Sequence, residues 1–214
     1  MNAASGTQRA VRSAPAGVAP EDQARAGFYA LIGRLFSSAP DAGLLHSLAQ
    51  SEGFVGDADA AFPIAWRRLC QAASAFEADA AAAEFDALFI GVGKPDVVRY
   101  GSYYIAGFMM EKPLARLREH LTELGLARRT DVGEPEDHIS ALADVMRHLI
   151  LDETLSPRPR SERQSEFFSR HLAPWYASLF EAIDAAPSAN LYRRVAEFAR
   201  AFLDLDRQAF EIEV

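Results

Sequence analysis

Cysteine is almost missing from this chain: Cys70 is the single thiol among 214 residues. One thiol closes no internal disulfide and builds no zinc site of several cysteines, and within an Ala-rich helical pattern it reads as packing, consistent with a reducing compartment. Histidine is scarce, with five residues, and no His-x-x-x-His or Cys-x-x-Cys spacing supports a metal site. No cofactor motif is present either. Gly91-Val92-Gly93-Lys94 lacks the longer spacing and the Ser/Thr of a phosphate-binding loop, and there is no nucleophile elbow. Long apolar runs are absent too: nothing approaches the roughly 18 residues that suggest a membrane span. The first 20 residues are rich in Ala, Gly, Ser and Pro and lack a signal peptide's apolar region, so they are expected to form a disordered tail. Finally, basic charge is in deficit. With 30 acidic against 22 basic residues the net charge is -8, which argues against sequence-independent binding to nucleic acid and suits a basic partner.

What is present is helical pattern. Half of the residues are hydrophobic, enough for one globular domain, here residues 21–210. Residues 21–37 place Ala24, Phe28, Leu31, Ile32 and Leu35 on one stripe, and Pro40 with Asp41 precede a short helix through Leu44, Leu45 and Leu48. Stretches 64–76 and 77–90 read as helices, the second ending at Gly91. Lys112 and Pro113 open another that stops at Gly125, and helices are expected over 162–172, 174–185 and 188–206. No strand pattern competes. Trp66 and Trp175 read as core anchors. The prediction is an all-α, single helical-bundle domain of roughly ten helices with short connections. Ser156-Pro157-Arg158-Pro159-Arg160-Ser161 reads as a linker or hinge, through which C-terminal helices could exchange between chains in a domain-swapped homo-oligomer.

Two segments stand out. Between Gly91 and Tyr104, glycines and Pro95 break the helical period before a tyrosine cluster, so this is the expected functional loop. Glu134-Pro135-Glu136-Asp137-His138 follows a polar loop and heads an apolar run. Pro135 suits a first helical position, Glu136 and Asp137 then fall in the first turn, and a helix is expected from here to about Leu155. At helical spacing His138 shares a face with Leu142, Val145 and Leu149, so its imidazole should be buried and hydrogen-bonded to a neighbouring helix.

This signature resembles the E-P-x-D-H segment of the TorD/DmsD-like cytoplasmic chaperones. The likeness extends to Glu84-Phe85-Asp86-Ala87-Leu88-Phe89-Ile90-Gly91, to Tyr100-Gly101-Ser102-Tyr103-Tyr104, to Phe167-Phe168 with His171-Leu172-Ala173-Pro174-Trp175, and to Tyr192. Phe85 stands where the family often has tyrosine, and Gly101 where it often has glutamate. The resemblance implies a TorD-like fold and a cytoplasmic protein that binds the twin-arginine leader and the apo form of a molybdenum-cofactor oxidoreductase, assists cofactor insertion and delays export. It implies no catalytic residue, cofactor or metal of the chaperone's own. A guanidinium pair needs carboxylates and an apolar leader segment needs a groove. Asp137 is the first candidate for the acidic contact, with His138, Glu134 and Pro135 around it; Phe85, Leu88, Phe89, Tyr100 and Tyr104 are candidates for the apolar wall, and the three from the helix read more readily as ordinary core.

Two other classes compete. A metal-dependent hydrolase could use Asp137, His138 and His148, but on one helix two imidazoles ten residues apart lie about 280° apart around the axis and do not converge. A helical adaptor without leader binding is the other.

Overall fold

A computed structural model describes residues 18–53, 58–91, 95–109, 111–128 and 133–212. Most of the expected tail, and Gly93 and Lys94 of the expected functional loop, lie outside these residues. The described chain forms α1 (Pro20–Ser37), α2 (Ala42–Ala49), α3 (Ala61–Ala75), α4 (Ala78–Phe85), a π-helical turn (Asp86–Ile90), α5 (Gly101–Ala106), α6 (Lys112–Glu123), α7 (Ile139–Ile150), α8 (Pro157–His171), α9 (Tyr176–Ala185) and α10 (Leu191–Ile212). Among the described residues the only β pairing is an isolated antiparallel bridge between Tyr100 and His138. The all-α prediction stands.

Local chemistry sets the boundaries. Asp41 caps α2 by accepting from the Leu44 N–H at 2.8 Å, and the π turn stops at Gly91, whose φ of 54° lies where other residues are disfavoured. Three boundaries differ from expectation. α1 starts at Pro20, inside the predicted tail, and its buried stripe is Ala26, Tyr29, Ile32, Leu35 and Phe36, turned so that Ala24 is exposed. α8 starts at Pro157, so the proline-rich segment opens a helix and is not a linker. The reason is positional: Pro157 and Pro159 sit in the first turn, where an N–H has no intrahelical acceptor. A hinge for exchanging C-terminal helices would have to lie at 151–156. Finally, α7 starts at Ile139 and ends at Ile150, four residues later and about five earlier than predicted.

Two long helices organise the core. α1 packs along α7, and α10 packs against α3, α8 and α9. The α1–α7 approach is close at Gly33, where an added Cβ would sit 3.4 Å from Asp144 Oδ1 and 3.5 Å from the Ser140 carbonyl. Rings fill the centre: Phe28 meets Phe62, Trp66, Phe198 and Phe202, and Phe36 meets Phe89, Phe180 and Tyr192. Polar ties lock the helices together. The Tyr29 hydroxyl and Arg25 Nε donate to Asp206 at 2.6 and 2.7 Å, joining α1 to α10. Glu84, buried at the end of α4, accepts from the N–H groups of Asn190, Leu191 and Tyr192 at 2.7, 3.0 and 2.8 Å, so it caps α10 from another helix.

Candidate functional site

The signature segment is a turn that two helices share. The peptide after Pro135 does not enter a helix; Glu136 and Asp137 form a turn closed by the His138 N–H on the Pro135 carbonyl at 3.2 Å, and His138 is extended beside residues 99–101. The Gly101 N–H donates to the Asp137 carbonyl at 2.9 Å, and the Ile139 N–H donates to the Arg99 carbonyl at 3.0 Å. Asp137 therefore does not cap the helix that follows it, as its place in sequence suggests. Its Oδ2 accepts from the Ser102 N–H at 2.8 Å, which caps α5. The residue is buried, and Oδ1 has no hydrogen-bond partner. An unpaired buried carboxylate oxygen is costly, and such atoms mark places where a donor is missing.

His138 is the N-cap of α7. Its Nδ1 accepts from the Ser140 N–H at 3.1 Å and lies 2.6 Å from the Ser140 hydroxyl, while Nε2 is buried without a partner. The predicted burial holds; the predicted side-chain bond to a neighbouring helix does not, because the ring closes on its own helix. Burial, with the positive charge of Arg99 nearby, pushes its pKa down to about 3. His138 is thus a neutral capping group. The Tyr100 ring meets it edge-on at 5.1 Å, and the Tyr100 hydroxyl donates to the Glu134 carboxylate. Glu136 pairs with Arg118 at 2.8 Å and Arg128 at 3.7 Å; burial pushes its carboxyl up, but these arginines outweigh it and hold it below the usual range.

The expected apolar wall splits. Phe85, Leu88 and Phe89 are core residues, covered by the Arg99 guanidinium 5.1 Å from both phenyl rings; Arg99 Nη1 donates to the Phe36 carbonyl at 2.6 Å. These three line no surface groove. Tyr104 is part-buried, stacked on Trp175 at 5.7 Å with its hydroxyl on the Val98 carbonyl at 2.7 Å. A cluster of exposed apolar groups lies farther along, at the corner between α5 and α6, while Ile90, Leu205 and Ile212 are exposed elsewhere. Ile105, Phe108 and Met109 are 44%, 71% and 43% exposed. Nothing in the pattern of the sequence separates them from core residues.

Two cavities flank the signature segment. One, of about 470 Å³, is lined by Asp137, Ile105, Glu119, Glu123, His171 and Trp175 among others. The second, about 400 Å³, lies on the far side and is lined by His138, Glu134, Glu136, Asp144, Val145 and His148 among others. Asp137 and the two histidines of the hydrolase reading therefore face different cavities. Among the described residues no group of three or more His, Cys, Asp or Glu is placed to hold a metal. At the wall of the first cavity His120 Nδ1 and His171 Nε2 are 2.8 Å apart. A bond of that kind needs one ring to accept, and burial, the His120 ring and Arg170 push His171 down to about 4.

Gly101 is explained by this packing. A Cβ there would lie 2.8 Å from Trp175 Nε1 and 2.9 Å from Cε2, and the indole is held by its bond to the His171 carbonyl at 2.6 Å. Gly101→Ala is expected to cost about 1–3 kcal/mol by overpacking. Urea unfolding of the variant checks this, and a loss below about 0.5 kcal/mol would mean that the indole moves freely.

A sequence model of the nitrate reductase delta subunit family matches residues 56–181. Proteins named chaperone protein TorD are similar to this chain: that of Vibrio cholerae serotype O1 (strain ATCC 39541) is 28% identical over 136 residues, 61% of this chain and 62% of the relative. That of Photobacterium profundum is 28% identical over 132 residues, 58% and 61% of the two chains. The chain thus spans just over three fifths of the length of these relatives. A crystal structure of a redox enzyme maturation protein from Archaeoglobus fulgidus has a similar fold, with a TM-score of 0.53 and 20% identity over 93% of this chain and 98% of that one.

Proposed function

The chain belongs to the nitrate reductase delta subunit family, and we propose that it is a cytoplasmic chaperone without catalytic turnover of its own. It binds the twin-arginine leader and the apo form of a molybdenum-cofactor oxidoreductase, assists cofactor insertion and delays export. The relatives named chaperone protein TorD support the class. The observation that carries the site is Asp137. Its unpartnered oxygen lies beside a cavity whose rim holds Glu119 and Glu123, and Ile105, Phe108 and Met109 stand exposed at the adjoining corner.

These features meet the two demands of the ligand. A guanidinium supplies the donor that Oδ1 lacks; Glu119 and Glu123 add attraction at the rim, offset in part by Arg116 and by Arg170, the latter held by Glu166. The apolar half of the leader covers the Ile105, Phe108 and Met109 patch, which takes the place of the buried phenylalanines in the expected wall. Tyr100 and Glu134 act from behind, by fixing the signature segment against α5, while Pro135 and His138 shape its turn. Binding then protects: a leader held here is withheld from export, and the bound conformation of the client is favoured by mass action.

Asp137→Asn separates the two jobs of this side chain. The amide oxygen can still accept from the Ser102 N–H, so the fold should hold, while the charge is gone. We expect affinity for a twin-arginine leader peptide to fall about 10- to 100-fold, in line with the loss of a charge-assisted pair. Calorimetric titration of wild type and variant checks it. Unchanged affinity in a folded Asp137→Asn variant removes Asp137 from the site; absence of binding by the wild type to every such leader overturns the chaperone reading.

A further inference from the structure

Away from this site, a cavity of about 890 Å³ lies where the first turn of α8 meets α1 and the end of α10; Asp22, Arg25, Arg158, Arg160, Glu162 and Phe210 are among its walls. Its charges balance in number but not in pairing: four arginines meet four carboxylates, and Arg25 holds two of them. Each carboxylate is already held by an arginine: Asp22 by Arg25 at 2.8 Å, Glu162 by Arg158 at 3.0 Å, and Glu166, also in the wall, by Arg170 at 2.7 Å. Arg25 is neutralised again by Asp206 at 2.7 Å. Arg160 is left over. It is 5% exposed, and its Nη1 is buried without a hydrogen-bond partner. A guanidinium keeps its charge at any accessible pH, so it cannot escape burial by losing a proton.

The first turn of α8 adds few backbone donors for an anion. Pro157 and Pro159 have no N–H, and the Arg160 N–H is spent on the Ser156 carbonyl at 3.2 Å. Gln164 is spent as well, donating to the Leu149 carbonyl at 3.4 Å and accepting from Arg25 Nη2 at 3.1 Å. What remains is one positive fork at the positive end of a 15-residue helix, beside a cavity large enough for a ligand. Planar guanidinium donors match the oxygen pairs of carboxylates and phosphates.

We propose that this cavity is an oxyanion-binding site in which Arg160 holds the carboxylate or phosphate group of a small ligand. The site is separate from the leader site and does not depend on it. The test uses the full chain and two probes, inorganic phosphate and acetate, each compared with chloride at equal ionic strength and pH. Binding raises the thermal midpoint saturably, by about 3–6 °C at ten times the dissociation constant. Phosphate alone acting marks a phosphoryl ligand; acetate acting as well marks a carboxylate. Arg160→Gln should abolish the response and Arg194→Gln, outside the cavity wall, should leave it intact. Should Arg160→Gln fail to fold, Arg160→Lys, with its point charge in place of the fork, is expected to weaken the probe at least fivefold. In the wild type the Arg160 Nε–H resonance should shift with the same saturation curve. No midpoint change beyond chloride, or an equal response in the Arg160 variants, overturns the proposal.

Discussion

Glu84→Ala should destabilise the protein by about 3–5 kcal/mol and lower its thermal midpoint by about 10 °C. The carboxylate accepts from three successive N–H groups, those of Asn190, Leu191 and Tyr192, at the start of the 22-residue α10. Removing it leaves three donors unsatisfied where water has little access, and takes a negative charge from the positive end of the longest helix. The damage spreads, because Tyr192 of that first turn packs on Phe85 and Phe89 and donates its hydroxyl to the Leu35 carbonyl at 2.8 Å. Glu84→Gln keeps one acceptor oxygen and loses the charge, so it should fall between wild type and Glu84→Ala. Denaturant unfolding of both variants provides the measurement. A loss below about 1 kcal/mol for Glu84→Ala would mean that the start of α10 is capped by water as well as by the carboxylate.

Acidification should cost about 3–4 kcal/mol of stability between pH 7 and pH 5, through two histidines. Burial and the Arg99 charge depress His138 to about 3; burial, His120 and Arg170 depress His171 to about 4. In the unfolded chain both rings take up a proton near 6.5, so below that pH the unfolded state binds more protons than the folded one. Stability is therefore complete above about 6.5, falls as the pH drops towards the folded values, and levels off beneath them. Carboxylates with lowered values, such as Glu136 and Asp152, lose stability only below about 4.5, and Asp144, raised by burial, acts in the opposite sense, so the fall from 6.5 to 5 comes from the histidines. His138→Asn should flatten the slope by about half there, since asparagine still caps α7 but does not titrate. Unfolding free energies at pH 7, 6 and 5 decide the point. A flat profile for the wild type would show that these rings are hydrated in the folded state.

Glu84 and His171 have partners remote in sequence, and His138, which caps its own helix, owes its lowered value to burial and Arg99; this marks the limit of what could be read beforehand. The helices followed from local rules. Apolar period, Pro40 with Asp41 as a break and Gly91 and Gly125 as stops depend on neighbours within four residues, and they placed most elements. The failures were at residues whose local reading had a distant competitor. Asp137 has the position of a first-turn carboxylate, yet the N–H groups of Gly101 and Ser102, 36 and 35 residues upstream, hold it. Phe85, Leu88 and Phe89 read as core before they read as a groove wall, and the rings of Phe36 and Tyr192 with the Arg99 guanidinium hold the two phenylalanines inside.

The sequence by itself determined the class: an all-helical chain, the signature segment and its carboxylate, and the family to which these motifs point. Periodicity and motif are properties of short segments, and they survive without knowledge of the partner. Tertiary structure alone decided which polar atoms are satisfied. It left Asp137 Oδ1 and Arg160 Nη1 without partners, paired His120 with His171, and brought Ile105, Phe108 and Met109 to the surface. Burial and hydrogen-bond satisfaction depend on where the other helices pass, and the spacing of residues along one chain does not encode that.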